Sequence, residues 1–280
     1  MAKCNVCFRH CDIPEGGTGF CGARTCRNET VTASNYGLIT SAALDPIEKK
    51  PLRRFRPGSV ILSVGSFGCN LRCPFCQNSD ISWSEKAKRA ADTAQRVTPA
   101  ELAAASEKYM ADGNIGVAFT YNEPLIGYEF VRDTAKLVHD MGMCNVMVTN
   151  GTAELAVLEE LLPFIDAMNI DLKGFTDSYY RHVLGGDREQ VLRFIERAAA
   201  DCHIELTTLI VPGENDTVGE MKQISGWIAG LPGGEDIPLH ISRFFPRFRM
   251  TDREATDVGL IYRLAETARE KLRYVYTGNC

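Results

Sequence analysis

The residues of this chain with the most definite chemistry are Cys69, Cys73 and Cys76, in the run Gly68-Cys69-Asn70-Leu71-Arg72-Cys73-Pro74-Phe75-Cys76-Gln77-Asn78. A structural zinc site takes four ligands, but no fourth Cys or His lies nearby and the next cysteine is Cys144. Three thiolates suit a different centre better: a [4Fe–4S] cluster with three irons held by protein and one left open. An open iron is a place for a ligand to bind and react. Cysteines of this kind must be accessible as thiolates rather than sealed in a core as thiols.

A second set of thiols stands at the N-terminus, Cys4-x2-Cys7-x3-Cys11-x9-Cys21, with His10 and Cys26 as spare ligands and Gly16, Gly17 and Gly19 as turn residues. A small element without its own core needs a staple, and a metal is one. Zinc suits the CxxC spacing; a second iron–sulfur cluster is the alternative. The eleven cysteines are an odd count. In an oxidising compartment that leaves a thiol unpaired, whereas in a reducing cytoplasm it reads as metal ligands plus free thiols. The expected location is therefore cytoplasmic. Cys144 and Cys202 read as small core residues.

The elements that must position these thiols follow from patterning. The first 45 residues form a Cys-, Gly- and Thr-rich element, and the remainder, 46–280, a second unit. From Ser59 onward apolar, partly β-branched runs at 60–64, 116–120, 145–149, 167–171, 204–211, 238–242 and 274–276 predict strands. Helical patterns separate them at 98–112, 125–141, 153–162, 188–200, 217–229 and 256–271. Thr98-Pro99 with Glu101 predicts an N-cap, a proline at the first helical position and a capping box. Strand–helix alternation at this spacing implies a parallel sheet with right-handed crossovers, and seven strands suit an α/β fold of incomplete (β/α) TIM-like barrel type. At 280 residues, 45% hydrophobic and 24% charged, the composition is that of an ordinary globular protein. No apolar stretch approaches a membrane span. The net charge of −5 argues against nucleic acid as the main partner.

Chemistry in such barrels collects at the C-terminal ends of the strands. Here those ends carry Gly68-Cys69, Tyr121-Asn122-Glu123-Pro124, Asn150-Gly151, Asp171-Leu172-Lys173, Pro212-Gly213, Arg243 and Gly278-Asn279. Asp171 and Lys173 alternate about Leu172 and so project to one face. A bound ligand with a carboxylate and hydroxyls, or an internal ion pair, would satisfy them. Asn122 and Glu123 supply acceptors for an amino group; Asn150-Gly151 fits a turn equally well. Two basic runs, Lys49-Lys50 with Arg53, Arg54 and Arg56, and Arg243 with Arg247, Arg249 and Arg253, read as solvated faces or as receivers of an anionic substrate.

With CxxxCxxC leaving a strand and an aromatic just before its last cysteine, the chain resembles the radical S-adenosylmethionine (radical SAM) superfamily. Thr40 to Leu52, Phe75-Cys76-Gln77-Asn78, His240-Ile241-Ser242-Arg243-Phe244 and Tyr274-Val275-Tyr276-Thr277-Gly278-Asn279 resemble the AmmeMemoRadiSam-system radical SAM enzymes, which are similar to pyruvate formate-lyase activating enzymes. The resemblance implies an enzyme whose cluster cysteines are Cys69, Cys73 and Cys76. SAM chelates the open iron, and its reductive cleavage yields methionine and a 5′-deoxyadenosyl radical that abstracts hydrogen. It implies SAM contacts at Phe75, Asn122, Glu123, Asn150, Asp171 and Lys173, with the cofactor rather than a protein acid, base or nucleophile supplying the reactivity. The implied partners are a flavodoxin or ferredoxin as electron donor, with Memo-like proteins or a glycyl radical enzyme. Two departures stand out. Val148 replaces an acid that helps to bind a monovalent cation in activating enzymes, and Phe245 replaces a His that contacts adenine.

Overall fold

The computed structural model describes residues 1–280. Strand β1 (Ser41–Pro46) runs antiparallel to β2 (Val60–Gly65). From β2 the sheet continues in chain order through β3 (Asn114–Phe119), β4 (Cys144–Thr149), β5 (Ala167–Asp171), β6 (His203–Ile210), β7 (Leu239–Arg243) and β8 (Val275–Gly278), all parallel. β1 and β8 are its two edges, so the barrel is incomplete. All seven expected strands are present, each within two residues of the expected bounds. β1 is additional. Its Ser-Ala-Ala-Leu-Asp-Pro sequence has no apolar alternation, and it is a strand because β2 offers it a free edge; a proline can end such an edge strand.

Helices α1 (Pro99–Lys108), α2 (Tyr128–Asp140), α3 (Leu155–Leu161), α4 (Arg188–Ala199), α5 (Val218–Ala229) and α6 (Val258–Arg269) fill the expected crossovers. Their starts are written locally. Thr98 Oγ1 accepts from Glu101 N–H at 3.2 Å and Glu101 Oε2 accepts from Thr98 N–H at 2.7 Å, which completes the capping box. The side chains of Asp187, Thr217 and Asp257 cap α4, α5 and α6 by accepting the N–H of the residue three positions on. One face of each strand packs with the helices in a continuous core; in β5 and just beyond it, Met168, Ile170 and Leu172 belong to that core. The alternate residues, Ala167, Asn169 and Asp171, face the barrel interior.

The floor of that interior, at the N-terminal ends of the strands, is closed by residues 47–58. Ile47 and Leu52 pack on Ile61, Ala118, Val146 and Ala167. Glu205 of β6 is fully buried and accepts the backbone N–H groups of Arg53 and Arg54 at 2.9 and 2.7 Å. His240 and His203 contact its two oxygens at 2.6 and 3.2 Å. Burial opposes the charge on Glu205, but the two histidines and two N–H groups outweigh it and hold the carboxyl down to about 2. A depressed carboxyl contributes stability that is complete above the ordinary value of 4.5 and is lost as the pH falls toward 2. Glu205→Gln would set an amide NH2 against a backbone N–H. It is expected to lower stability by about 1–3 kcal/mol at pH 7 and to flatten this acid-side slope, as read by urea unfolding across pH. No helix is long and apolar enough to cross a membrane.

The N-terminal residues form short hairpins, Ala2–Lys3 with Asp12–Ile13 and Arg24–Arg27 with Thr30–Ala33. They sit on the opposite end of the sheet from the floor plug. Val6 O accepts Glu154 N–H at 2.9 Å, Arg9 Nε reaches Asn70 O at 2.8 Å, and Arg24 pairs with Glu129 at 2.6 Å.

Candidate cofactor site at the open rim

The loop that carries Cys69, Cys73 and Cys76 leaves the C-terminal end of β2. Its turn needs glycine: Gly68 has φ +93°, and a Cβ there would meet Cys21 O at 2.7 Å and Ala23 Cβ at 2.8 Å. The sulfurs are supplied with donors. Leu71 N–H points at Cys69 Sγ (3.4 Å) and the Asn150 amide lies 3.8 Å from it, while the Ser82 hydroxyl and Asn78 N–H face Cys76. Burial pushes all three thiols up, Cys73 to about 11, so binding a metal would release their protons. No three His, Cys, Asp or Glu side chains in the chain are grouped to hold a single metal ion. Ligands of one zinc would converge at about 2.3 Å from a common point. Ligands of a cubane bind different corners and stand farther apart, so a three-thiol loop with donors aimed at its sulfurs fits an iron–sulfur cluster.

Phe75 is buried on this loop, edge-on to Phe244 with ring centroids 6.2 Å apart. Asn150, from the turn after β4, joins Cys69 to Asn70: its amide donates to Asn70 Oδ1 at 3.0 Å. Asp171 and Lys173 meet as an ion pair of 2.6 Å. Burial works against the Lys173 charge, but Asp171 and the adjacent Cys73 more than offset it and hold the ammonium above its ordinary value. Lys173 N–H also donates to Tyr180 Oη at 3.0 Å, from the π-helical turn Tyr179–Leu184. Cys69, Cys73, Asn150, Asp171 and Lys173 are thus brought to one place.

Asn122 and Glu123 lie beside the loop with their side chains turned into backbone. Asn122 Oδ1 accepts Ser66 N–H at 2.9 Å and its amide donates to Gly68 O at 3.2 Å. Glu123 is buried and accepts from Thr149 Oγ1 at 2.7 Å, Asn150 N–H at 2.8 Å and Leu125 N–H at 3.1 Å. Its burial raises the carboxyl to about 7 despite those donors. Both residues brace the cluster loop and the Asn150 turn, a role that a motif reading does not disclose.

The basic runs divide. Lys50 is buried at the floor side, 2.9 Å from Asp45, whose carboxylate also accepts from Tyr121 Oη at 2.9 Å. Arg53 and Arg54 lie over the rings of Tyr276 and Tyr274. The second run stays near the rim: Arg243 binds Thr256 O and lies over the exposed ring of Phe245, and Arg249 lies over Trp83. Sequence reasoning passed over Tyr121, which holds φ +72° against Gly65, where a Cβ would approach Tyr121 Cβ to 2.9 Å. A strained non-glycine residue inside the Thr120–Pro124 motif is a conformation that only the fold reveals.

The family model described as the Radical SAM superfamily matches residues 63–224, which include the three-cysteine loop, Asn122, Glu123, Asn150, Asp171 and Lys173. The chain belongs to the radical SAM superfamily. Among the proteins it is similar to, the uncharacterized protein MJ0808 of Methanocaldococcus jannaschii is 39% identical over 279 residues, covering 99% of this chain and 81% of the relative. Pyruvate formate-lyase 1-activating enzyme of Escherichia coli is 26% identical over 178 residues, covering 61% of this chain and 70% of the relative. The crystal structure of Streptococcus suis SuiB bound to S-adenosylmethionine superposes with a TM-score of 0.58 at 12% identity, over 76% of this chain and 48% of SuiB; at that identity the likeness is one of fold. Radical SAM membership agrees with the incomplete barrel, with a [4Fe–4S] cluster and SAM as cofactors, and with an enzymatic role.

Proposed function

We propose that this chain reductively cleaves S-adenosylmethionine at a [4Fe–4S] cluster held by Cys69, Cys73 and Cys76, and directs the product to hydrogen abstraction from a small-molecule substrate of the AmmeMemoRadiSam type. The observation that carries the reading is the convergence of the three-thiol loop with Asn150 and the Asp171–Lys173 pair on one rim of the sheet. The cluster and SAM supply the electron and the 5′-deoxyadenosyl radical. The chain's own residues bind, orient and exclude water.

In this reading Lys173 meets the SAM carboxylate or ribose and Asp171 orients the group beside it. Phe75 flanks the adenine edge. Asn150 lies against the Cys69 sulfur, and Asn122 and Glu123 support the loop from behind. Residues 1–45 carry a metal-stapled element on a radical SAM core that runs from 46 onward, with the last of them, Ser41–Asp45, joining the core sheet as its edge strand. Cys4, Cys7, Cys11 and Cys21 are its ligands, to zinc or to iron–sulfur. The reducing agent is a flavodoxin or ferredoxin, the partners are Memo-like proteins, and the location is cytoplasmic.

A second reading, installation of a glycyl radical on a pyruvate formate-lyase-like partner, is favoured by the 26% identity to the Escherichia coli activating enzyme. Anaerobically reconstituted protein, reduced and supplied with SAM, separates the two. We expect it to release 5′-deoxyadenosine and to raise no glycyl radical signal, by electron paramagnetic resonance, on an added pyruvate formate-lyase. A glycyl signal would favour the second reading, and a protein that binds its cluster but never cleaves SAM would overturn both.

A further inference from the structure

The N-terminal cysteines face one another and the cluster loop. Cys4, Cys7, Cys11 and Cys21 line a single cavity together with Arg9 and Arg24. Cys26 turns away toward Glu15 at 3.7 Å, and His10 is engaged with Glu154 at 3.3 Å, so the two spare ligands drop out and four thiols remain. Cys4 N–H donates to Cys11 O at 2.9 Å and His10 N–H to Cys7 O at 3.1 Å, so backbone contacts hold the thiol-bearing turns together around the cavity.

The two sets of cysteines adjoin. Cys69 N–H donates to Cys21 O at 3.1 Å. The Asn70 side chain lies against Cys7 and accepts from the Asn150 amide at 3.0 Å, which in turn lies 3.8 Å from Cys69 Sγ. A short hydrogen-bonded path therefore runs from one set of sulfurs to the other. Arg9 and Arg72 stand among both sets, with their guanidinium carbons 3.4 and 3.8 Å from the Phe20 ring centroid. Two anionic centres side by side repel each other, and two partly buried arginines between them offset that repulsion.

We propose that Cys4, Cys7, Cys11 and Cys21 hold a second iron–sulfur cluster, ligated wholly by protein, that exchanges single electrons with the cluster at Cys69, Cys73 and Cys76. The inference rests on the reading of those three cysteines given above. An iron–sulfur cluster is proposed rather than zinc because zinc has no redox chemistry with which to use the adjacency of the two sets of thiols. The relay balances simply. A low-potential donor protein of the ferredoxin or flavodoxin class loses one electron, the N-terminal cluster gains it and passes it on, and no atom or proton moves.

The test uses the full chain, reconstituted anaerobically, with iron and zinc measured and the iron resolved by Mössbauer spectroscopy. Wild type should hold twice the iron of either the Cys4→Ser/Cys7→Ser variant or the Cys69→Ala/Cys73→Ala/Cys76→Ala variant. Adding SAM should perturb one of two equal iron components, a measurement that wild type alone provides if a variant fails to fold. With a flavodoxin-type donor the N-terminal variant should release 5′-deoxyadenosine about tenfold more slowly, and with dithionite, which reaches either cluster, at close to the wild-type rate. Zinc on these thiols, or a wild type holding one cluster that the triple variant loses entirely, would overturn the inference and leave the Cys69–Cys73–Cys76 reading intact. Iron that survives unchanged in the triple variant would overturn that reading as well.

Discussion

Replacing any one of Cys69, Cys73 and Cys76 with alanine is expected to reduce 5′-deoxyadenosine release to background in protein reconstituted with iron and sulfide and reduced with dithionite. The three sulfurs are the protein's whole share of the ligation. Losing one leaves two protein ligands on a cluster that must also keep an iron open, so the cluster is lost or binds SAM wrongly. The change should be visible without any turnover, as a fall in the broad iron–sulfur absorbance near roughly 400 nm. Folding should suffer little for Cys69 and Cys76, which are only partly buried on a loop, and somewhat more for Cys73, which is buried in the core, though no strand or helix of the barrel includes any of the three. Thermal unfolding of the metal-free proteins checks that point. A single alanine variant that cleaves SAM at the wild-type rate would remove its cysteine from the ligand set.

Lys173→Ala is expected to weaken SAM binding by about 1.5–3 kcal/mol, the worth of a charged hydrogen bond, while the cluster stays in place. In the folded chain Lys173 is held by Asp171 at 2.6 Å and stands beside Cys73. Its ammonium is therefore fixed at the rim, where an anionic group of the ligand can join the pair. Asp171 is less buried than Lys173, with 30% of its side chain exposed against 17%, so water can solvate it once the lysine is gone and the variant should fold. Lys173→Arg should restore only part of the affinity, since a planar fork cannot stand where a compact ammonium does. The measurement is a SAM titration of cluster-loaded protein. Unchanged affinity in a folded Lys173→Ala protein, together with lower stability, would make the pair a structural ion pair and remove Lys173 from the ligand contacts.

What the sequence by itself determined is what local chemistry can write. The proposed cluster ligands are legible because all three lie on one loop, where spacing along the chain is nearly spacing in space. The seven parallel strands are legible because a strand buried on both faces must be apolar and β-branched along its length, and the helix starts because capping is a contact over three residues. The tertiary structure alone decided the contacts between segments distant in sequence. Ser41–Pro46 became a strand only because β2 had an edge to offer. Glu123, which the motif reading set toward SAM, also accepts from Thr149, Asn150 and Leu125, contacts that no motif spells out. The basic run at 49–56 became a floor plug because Glu205, some 150 residues later, accepts two of its backbone N–H groups. The N-terminal cysteines could be counted from the sequence, but that Cys21 O holds Cys69 N–H could not. That contact joins two loops far apart in sequence, and no periodicity or propensity records which loops will meet.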